Sequence, residues 1–82
     1  MDPAVAFGRV LRRLRNKANW TQEELGFEAD LRRTYISILE LGEQQPTLRT
    51  IFKLSRAFGM PAHELVRQVE TEASTPGRSR KR

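Results

Sequence analysis

A chain of 82 residues with 15 Lys and Arg against 10 Asp and Glu, a formal charge of +5, holds one small domain and no more. It has no Cys, which excludes disulfides, thiolate metal sites and thiol chemistry, and no apolar run approaches the roughly 20 residues that span a bilayer. With no signal-peptide pattern at the N-terminus either, a cytoplasmic protein is expected.

The distribution of charge says more than its sum. Arg78, Arg80, Lys81 and Arg82 put four cations in the last five residues, leaving eleven Lys and Arg against ten acids in the rest of the chain. The folded part is therefore nearly neutral, and any affinity for a polyanion must come from placed contacts plus the tail.

Asp2-Pro3 is a start signal for a first helix, with Asp2 as cap and Pro3 at the first helical position. Phe7, Val10, Leu11 and Leu14 then recur at i, i+3, i+4 and i+7, an apolar stripe for the core, and Arg9, Arg12, Arg13, Arg15 and Lys17 fill the outer side. Residues 16–19 connect. Trp20 precedes Thr21, which is placed to cap a second helix with Glu23 and Glu24 in its first turn. Leu25 and Ala29 share one face of that helix. Phe27 lies off it, either exposed or folded on the first helix. Asp30 tolerates a left-handed turn, and a third helix is predicted from about Arg32 to Leu41, with Ile36 and Leu39 inward and Gly42 as its stop.

Two short helices across a sharp turn, with Arg32, Arg33, Thr34, Ser37 and Ile38 left outward on the second, make a surface suited to DNA. Arginine bonds guanine bidentately, hydroxyls donate or accept, and an aliphatic group packs on a thymine methyl. These five are the candidate base-reading residues. Gln22, at the start of the second helix, is a candidate phosphate ligand. Tyr35 either meets a phosphate or seals the core edge. Glu40, which would repel DNA, is expected to play a structural part, either pairing with a cation of the first helix or accepting backbone hydrogen bonds.

Glu43-Gln44-Gln45-Pro46 reads as a polar loop, and Thr47 caps a fourth helix expected to turn Leu48, Ile51, Leu54 and Phe58 inward and to end at Gly59. Pro61 opens a fifth, whose stripe of Ala62, Leu65, Val66 and Val69 is wider than one small core covers. Leu65, Val66 and Val69 are the candidate homodimer contact. The one histidine, His63, has no partners for a metal site or a proton relay. The domain is taken as residues 1–73 and residues 74–82 as a disordered basic tail, either an arm on DNA phosphates or a solubilising end.

Thr21-Gln22-Glu23-Glu24-Leu25, Arg33-Thr34-Tyr35-Ile36-Ser37, Glu40 and Gly42, Pro46-Thr47-Leu48 and Ala57-Phe58-Gly59 stand in the order and spacing that resemble the Cro/CI-type (XRE) helix-turn-helix domains, over about Phe7 to Val69. In length and in the Arg-Thr-Tyr-Ile-Ser run the chain also looks like the stand-alone controller proteins of restriction-modification systems. The resemblance implies a compact all-α fold of five helices, and a phosphate contact from Gln22. It further implies that the loop and the start of the fourth helix lie along the DNA backbone, so that Gln44, Gln45, Thr47 and Arg49 become phosphate candidates. The chain departs from the family at Arg32, where a small capping residue is usual, at Asp30, where the turn Gly stands, and at Ile38 and Leu41, which are more apolar than is common.

The function expected is a sequence-specific transcriptional regulator binding double-stranded DNA as a dimer on a pseudo-palindromic operator. An antitoxin or other protein-interaction module on the same fold is the alternative. No nucleophile and base pair, glycine-rich phosphate loop or metal-ligand cluster stands in the sequence, so no enzymatic role and no cofactor is expected. Few aromatic residues are available for base stacking, which disfavours RNA.

Overall fold

Asp2 sets the first turn: its carboxylate accepts from the amides of Ala4 and Val5 at 2.9 and 3.2 Å, and Pro3 follows as the first helical residue. The computed structural model describes residues 1–74. Within them the chain forms α1 (Pro3–Lys17), α2 (Gln22–Ala29), α3 (Arg33–Glu40), α4 (Leu48–Ala57) and α5 (Ala62–Ser74), with no strand among the described residues. The basic cluster at residues 78–82 lies outside them.

Each boundary has a local cause. Thr21 and Glu24 form a reciprocal capping box, the hydroxyl accepting from the Glu24 amide at 3.0 Å and the carboxylate from the Thr21 amide at 2.8 Å. Asp30 ends α2 in the left-handed region (φ 58°, ψ 50°), and the Leu31 amide then closes onto the Gly26 carbonyl at 2.8 Å. Gly42 and Gly59 stop α3 and α4 at φ +74° and +72°, conformations that cost a side-chain-bearing residue more than glycine. Thr47 caps α4 by accepting from the Thr50 amide.

The core is made where the helices cross. Phe7, Val10 and Leu11 of α1 meet Leu25 and Ala29 of α2, Ile36 and Leu39 of α3, Leu54 of α4 and Leu65 of α5. α1 packs on α3 and α5, and α4 on α2 and α5, so the α2–α3 unit is held from behind on two sides. Trp20 stacks on Phe58 with ring centroids 5.7 Å apart, which joins the α1–α2 turn to the end of α4.

Three expectations need correction. Leu48 is 66 % exposed, because it sits on the side of α4 away from Leu54. Arg15, placed by sequence on the outer side of α1, is turned inward to Glu40. Leu65, expected at a dimer contact, is completely buried in this chain's own core and offers no surface to a partner.

Gly8 marks a close approach of α1 to α3. A Cβ there would lie 2.6 Å from the carbonyl oxygens of both Leu39 and Glu40. Ala is favoured over Gly in a helix by about 1 kcal/mol, but backbone atoms on a packed helix cannot swing away, and overpacking of this kind costs about 1 to 3 kcal/mol or more. Gly8→Ala is therefore expected to lower the urea unfolding midpoint; a midpoint at or above that of the native protein would show that α3 slides freely on α1.

Candidate nucleic-acid interface

α2 and α3 are joined by Asp30, Leu31 and Arg32, and burial of Ile36 and Leu39 decides which side of α3 faces out. On that outer side Arg32, Arg33 and Thr34 are exposed, and Ser37 and Ile38 are half-exposed. The structure thus brings all five candidate base-reading residues to one surface, at the N-terminal end and middle of α3. Arg32 is the N-cap of α3 and gives it no side-chain hydrogen bond, so the first amides of that helix are left without a side-chain acceptor. No ion pair reaches Arg33 among the described residues, and Asp30 is engaged instead by Lys53, whose ammonium lies 3.5 Å from the carboxylate and donates to the Asp30 carbonyl at 3.2 Å.

This surface is held from behind by one polar cluster. Arg15 donates from Nε and Nη2 to the two carboxylate oxygens of Glu40 at 2.6 and 3.0 Å, and from Nη1 to the Trp20 carbonyl at 2.8 Å. Gln22 Nε2 donates to the same carboxylate at 3.1 Å. Side-chain exposure is 12 % for Arg15 and 5 % for Glu40. The two-point geometry fixes the guanidinium in one orientation, and the hydrogen bond to Glu40 raises the Arg15 pKa further above its ordinary value. The carboxylate at the end of α3 is thereby tied to the last turn of α1 and to the first residue of α2. With one Nε2 hydrogen committed to Glu40, Gln22 keeps a second N–H and its backbone amide for another acceptor.

The remaining phosphate candidates divide. Gln44, Gln45 and Arg49 are exposed around the start of α4. The Thr47 hydroxyl already donates to Thr50 Oγ1 at 3.1 Å and accepts from the Thr50 amide, so its side chain is committed to the cap. The Tyr35 hydroxyl lies 3.3 Å from Thr50 Oγ1 and its ring packs against the core, a link between α3 and α4. Of the two readings open for Tyr35, the geometry fits the one that seals the core edge.

A second surface runs over α4 and α5. Leu48 and Phe52 of α4 and Val66 of α5 are exposed, and Val66 also lines an apolar cavity of about 170 Å³ with Phe7, Pro46, Ile51 and Val69. Of the expected dimer residues Val66 belongs to this surface and Val69 is half-buried behind it. Phe52 was missed, although its i+4 spacing from Leu48 was visible once Leu48 is set outside. At the start of α5 Arg67 and then Gln68 hydrogen-bond Glu64 and hold its carboxyl at about 2, below the ordinary range. That pair is solvent-screened and adds little.

The outer side of α2 is different again. Phe27 is 84 % exposed, between Glu23, Glu24 and Glu28, which settles the alternative left open by the sequence. Among the described residues no helix is long and apolar enough to cross a membrane, and no group of three or more metal-binding side chains comes together.

A model of the helix-turn-helix family matches residues 11–65. The chain is 44% identical over 61 residues, 73% of its length and 75% of the other protein, to the control protein C.BamHI of Bacillus amyloliquefaciens. It is 35% identical over 72 residues, 87% of its length and 97% of the other, to the control protein C.MunI of a Mycoplasma species. Among solved structures, the restriction-modification controller protein C.AhdI from Aeromonas hydrophila superposes with a TM-score of 0.72 at 37% identity, covering 76% of this chain and 94% of that one.

Proposed function

This chain belongs to the helix-turn-helix family of XRE-type DNA-binding transcriptional regulators, and from that premise we propose that it acts as a homodimer on a pseudo-palindromic operator and controls a restriction-modification system. The control role is carried over from the relatives named above, which share a third or more of their aligned residues with it.

One observation supports the mechanism most: Arg32, Arg33, Thr34, Ser37 and Ile38 share the open side of α3, while Arg15, Glu40 and Gln22 lock that helix from behind. In this reading α3 enters the major groove and its side chains choose sequence, with Arg33 bidentate on a guanine. Gln22, Gln44, Gln45 and Arg49 sit on phosphates to either side and fix register without selecting sequence. Thr47 and Tyr35 serve the same boundary indirectly, by shaping the start of α4. The acidic outer side of α2 keeps DNA off that helix face. A cytoplasmic setting follows from this role.

The dimer forms in this proposal through Leu48, Phe52 and Val66, with Val69 beneath them and Leu65 left in the core. A domain this small gains stability by burying such a patch. A two-fold pair then places two α3 helices one turn of DNA apart, about 34 Å.

Selection from a pool of random duplexes tests the reading. An inverted repeat with half-site centres about 10 base pairs apart is expected, and the same repeat should occur ahead of the protein's own gene, beside genes for a methyltransferase and an endonuclease. Recovery of no preferred sequence would remove the proposal.

A further inference from the structure

Leu41 is 65 % exposed, yet its backbone is well fixed: its amide donates to the Ser37 carbonyl at 3.0 Å, and Gly42 after it packs so closely on Val5 of α1 that a Cβ there would lie 3.1 Å from Val5 Cα and Cγ2. A large apolar side chain this exposed stands outside the core cluster although its backbone is fixed. Its position on α3 says what it faces. Thr34, Ile38 and Leu41 stand at i, i+4 and i+7, so Leu41 continues the open stripe of α3 by one further turn. The stripe begins with cations and hydroxyls and ends in two aliphatic groups.

From this geometry we infer that Leu41, one turn beyond Ile38, is a specificity-determining residue that packs on the C5 methyl of a thymine. The inference rests on the reading in which α3 lies in the major groove. The one apolar group that protrudes from base edges there is the thymine methyl; apart from flat C–H positions such as C5–H of cytosine, the other positions are hydrogen-bond donors or acceptors, which an aliphatic side chain would desolvate without replacing. Seven residues of helix advance on the order of 10 Å, or about three base steps of roughly 3.4 Å each. The thymine therefore lies about three base pairs along the groove from the base beneath Thr34. Because Leu41 lies outside the core, its side chain is free to be spent on this contact, and changing it leaves the fold intact.

The experiment uses the full chain and the duplex that it selects from a random pool. Each thymine is replaced in turn, in both half-sites, by uracil, which removes the methyl and nothing else. Burial of one methyl-sized group is worth about fourfold in affinity, from about 0.8 kcal/mol per group, so about fifteenfold over two half-sites. The native protein should show that loss at one thymine position, about three base pairs from the position whose preference relaxes in Thr34→Ala. Leu41→Ala should bind the thymine duplex more weakly by a similar factor, keep its melting temperature, and no longer distinguish thymine from uracil there. Three results would overturn the inference: no thymine at that distance is sensitive to uracil, Leu41→Ala keeps the uracil penalty, or Leu41→Ala binds the selected duplex as tightly as the native protein, as it would if the side chain served a protein partner. Failure to select any sequence would instead remove the regulator mechanism on which the inference stands.

Discussion

Glu40→Ala is expected to destabilise the fold by about 3 kcal/mol, the lower end of the cost of leaving one half of a buried ion pair behind. The lower end applies because Arg15 keeps a 12 % exposed side chain and can still reach water and the Trp20 carbonyl, while Glu40 at 5 % is the more enclosed partner. For a domain of this length 1 kcal/mol corresponds to about 4 to 8 °C in melting temperature, so a fall of more than 10 °C should be seen by circular dichroism. The cause is the stranded guanidinium rather than a lost attraction. Arg15→Met combined with Glu40→Leu should therefore recover most of the loss, since a buried pair replaced by apolar groups of similar volume is often neutral. Even so, the double variant should bind operator more weakly than the native protein, because Gln22 loses its acceptor and α3 its tie to α2. A Glu40→Ala protein that melts within 3 °C of the native one would show that this cluster carries no weight.

Phe52→Glu should split the proposed homodimer. The ring is 53 % exposed in the single chain, so the change leaves the core alone but sets a carboxylate among the apolar side chains assigned to the proposed contact. Two linked reading helices gain about a hundredfold or more in affinity over one from the second, effectively intramolecular contact. Operator affinity should fall by at least that factor, with the melting temperature of the monomer little changed. Leu65→Glu makes the useful contrast: buried in the core, it should unfold the chain rather than separate two folded ones. Sedimentation that finds the native protein monomeric at tens of micromolar, both free and on a palindromic duplex, would count against the dimer.

Much of this was legible from residue spacing because the signals were local. Asp2-Pro3, Thr21 with Glu24, and Gly42 and Gly59 act within one turn of helix, and each sits in the structure where its chemistry requires. The open side of α3 follows from Ile36 and Leu39 alone. What was missed depends on a partner element. Arg15 stands four residues after Leu11 and so on the inward stripe, but a cation there reads as solvent-facing until the carboxylate of Glu40, 25 residues away, is brought against it. Leu48 reads as core by its type. Only the direction of Leu54 and Thr50, both buried, shows that α4 turns Leu48 and Phe52 outward. Leu65 and Val66 are adjacent apolar residues, and a helix cannot point both the same way, so the choice between core and partner waits on which of them meets α1 and α4.

Sequence reading by α3 is tested by comparing operator and random duplex at one fixed salt concentration for the native protein and for Arg33→Ala. The native protein should prefer its selected operator by on the order of 10³-fold or more. Loss of the guanidinium should cost about 1 to 3 kcal/mol on the operator and relax preference at one base pair, with little change on random DNA. Equal weakening on both duplexes would make Arg33 a phosphate contact and contradict sequence reading by this end of α3.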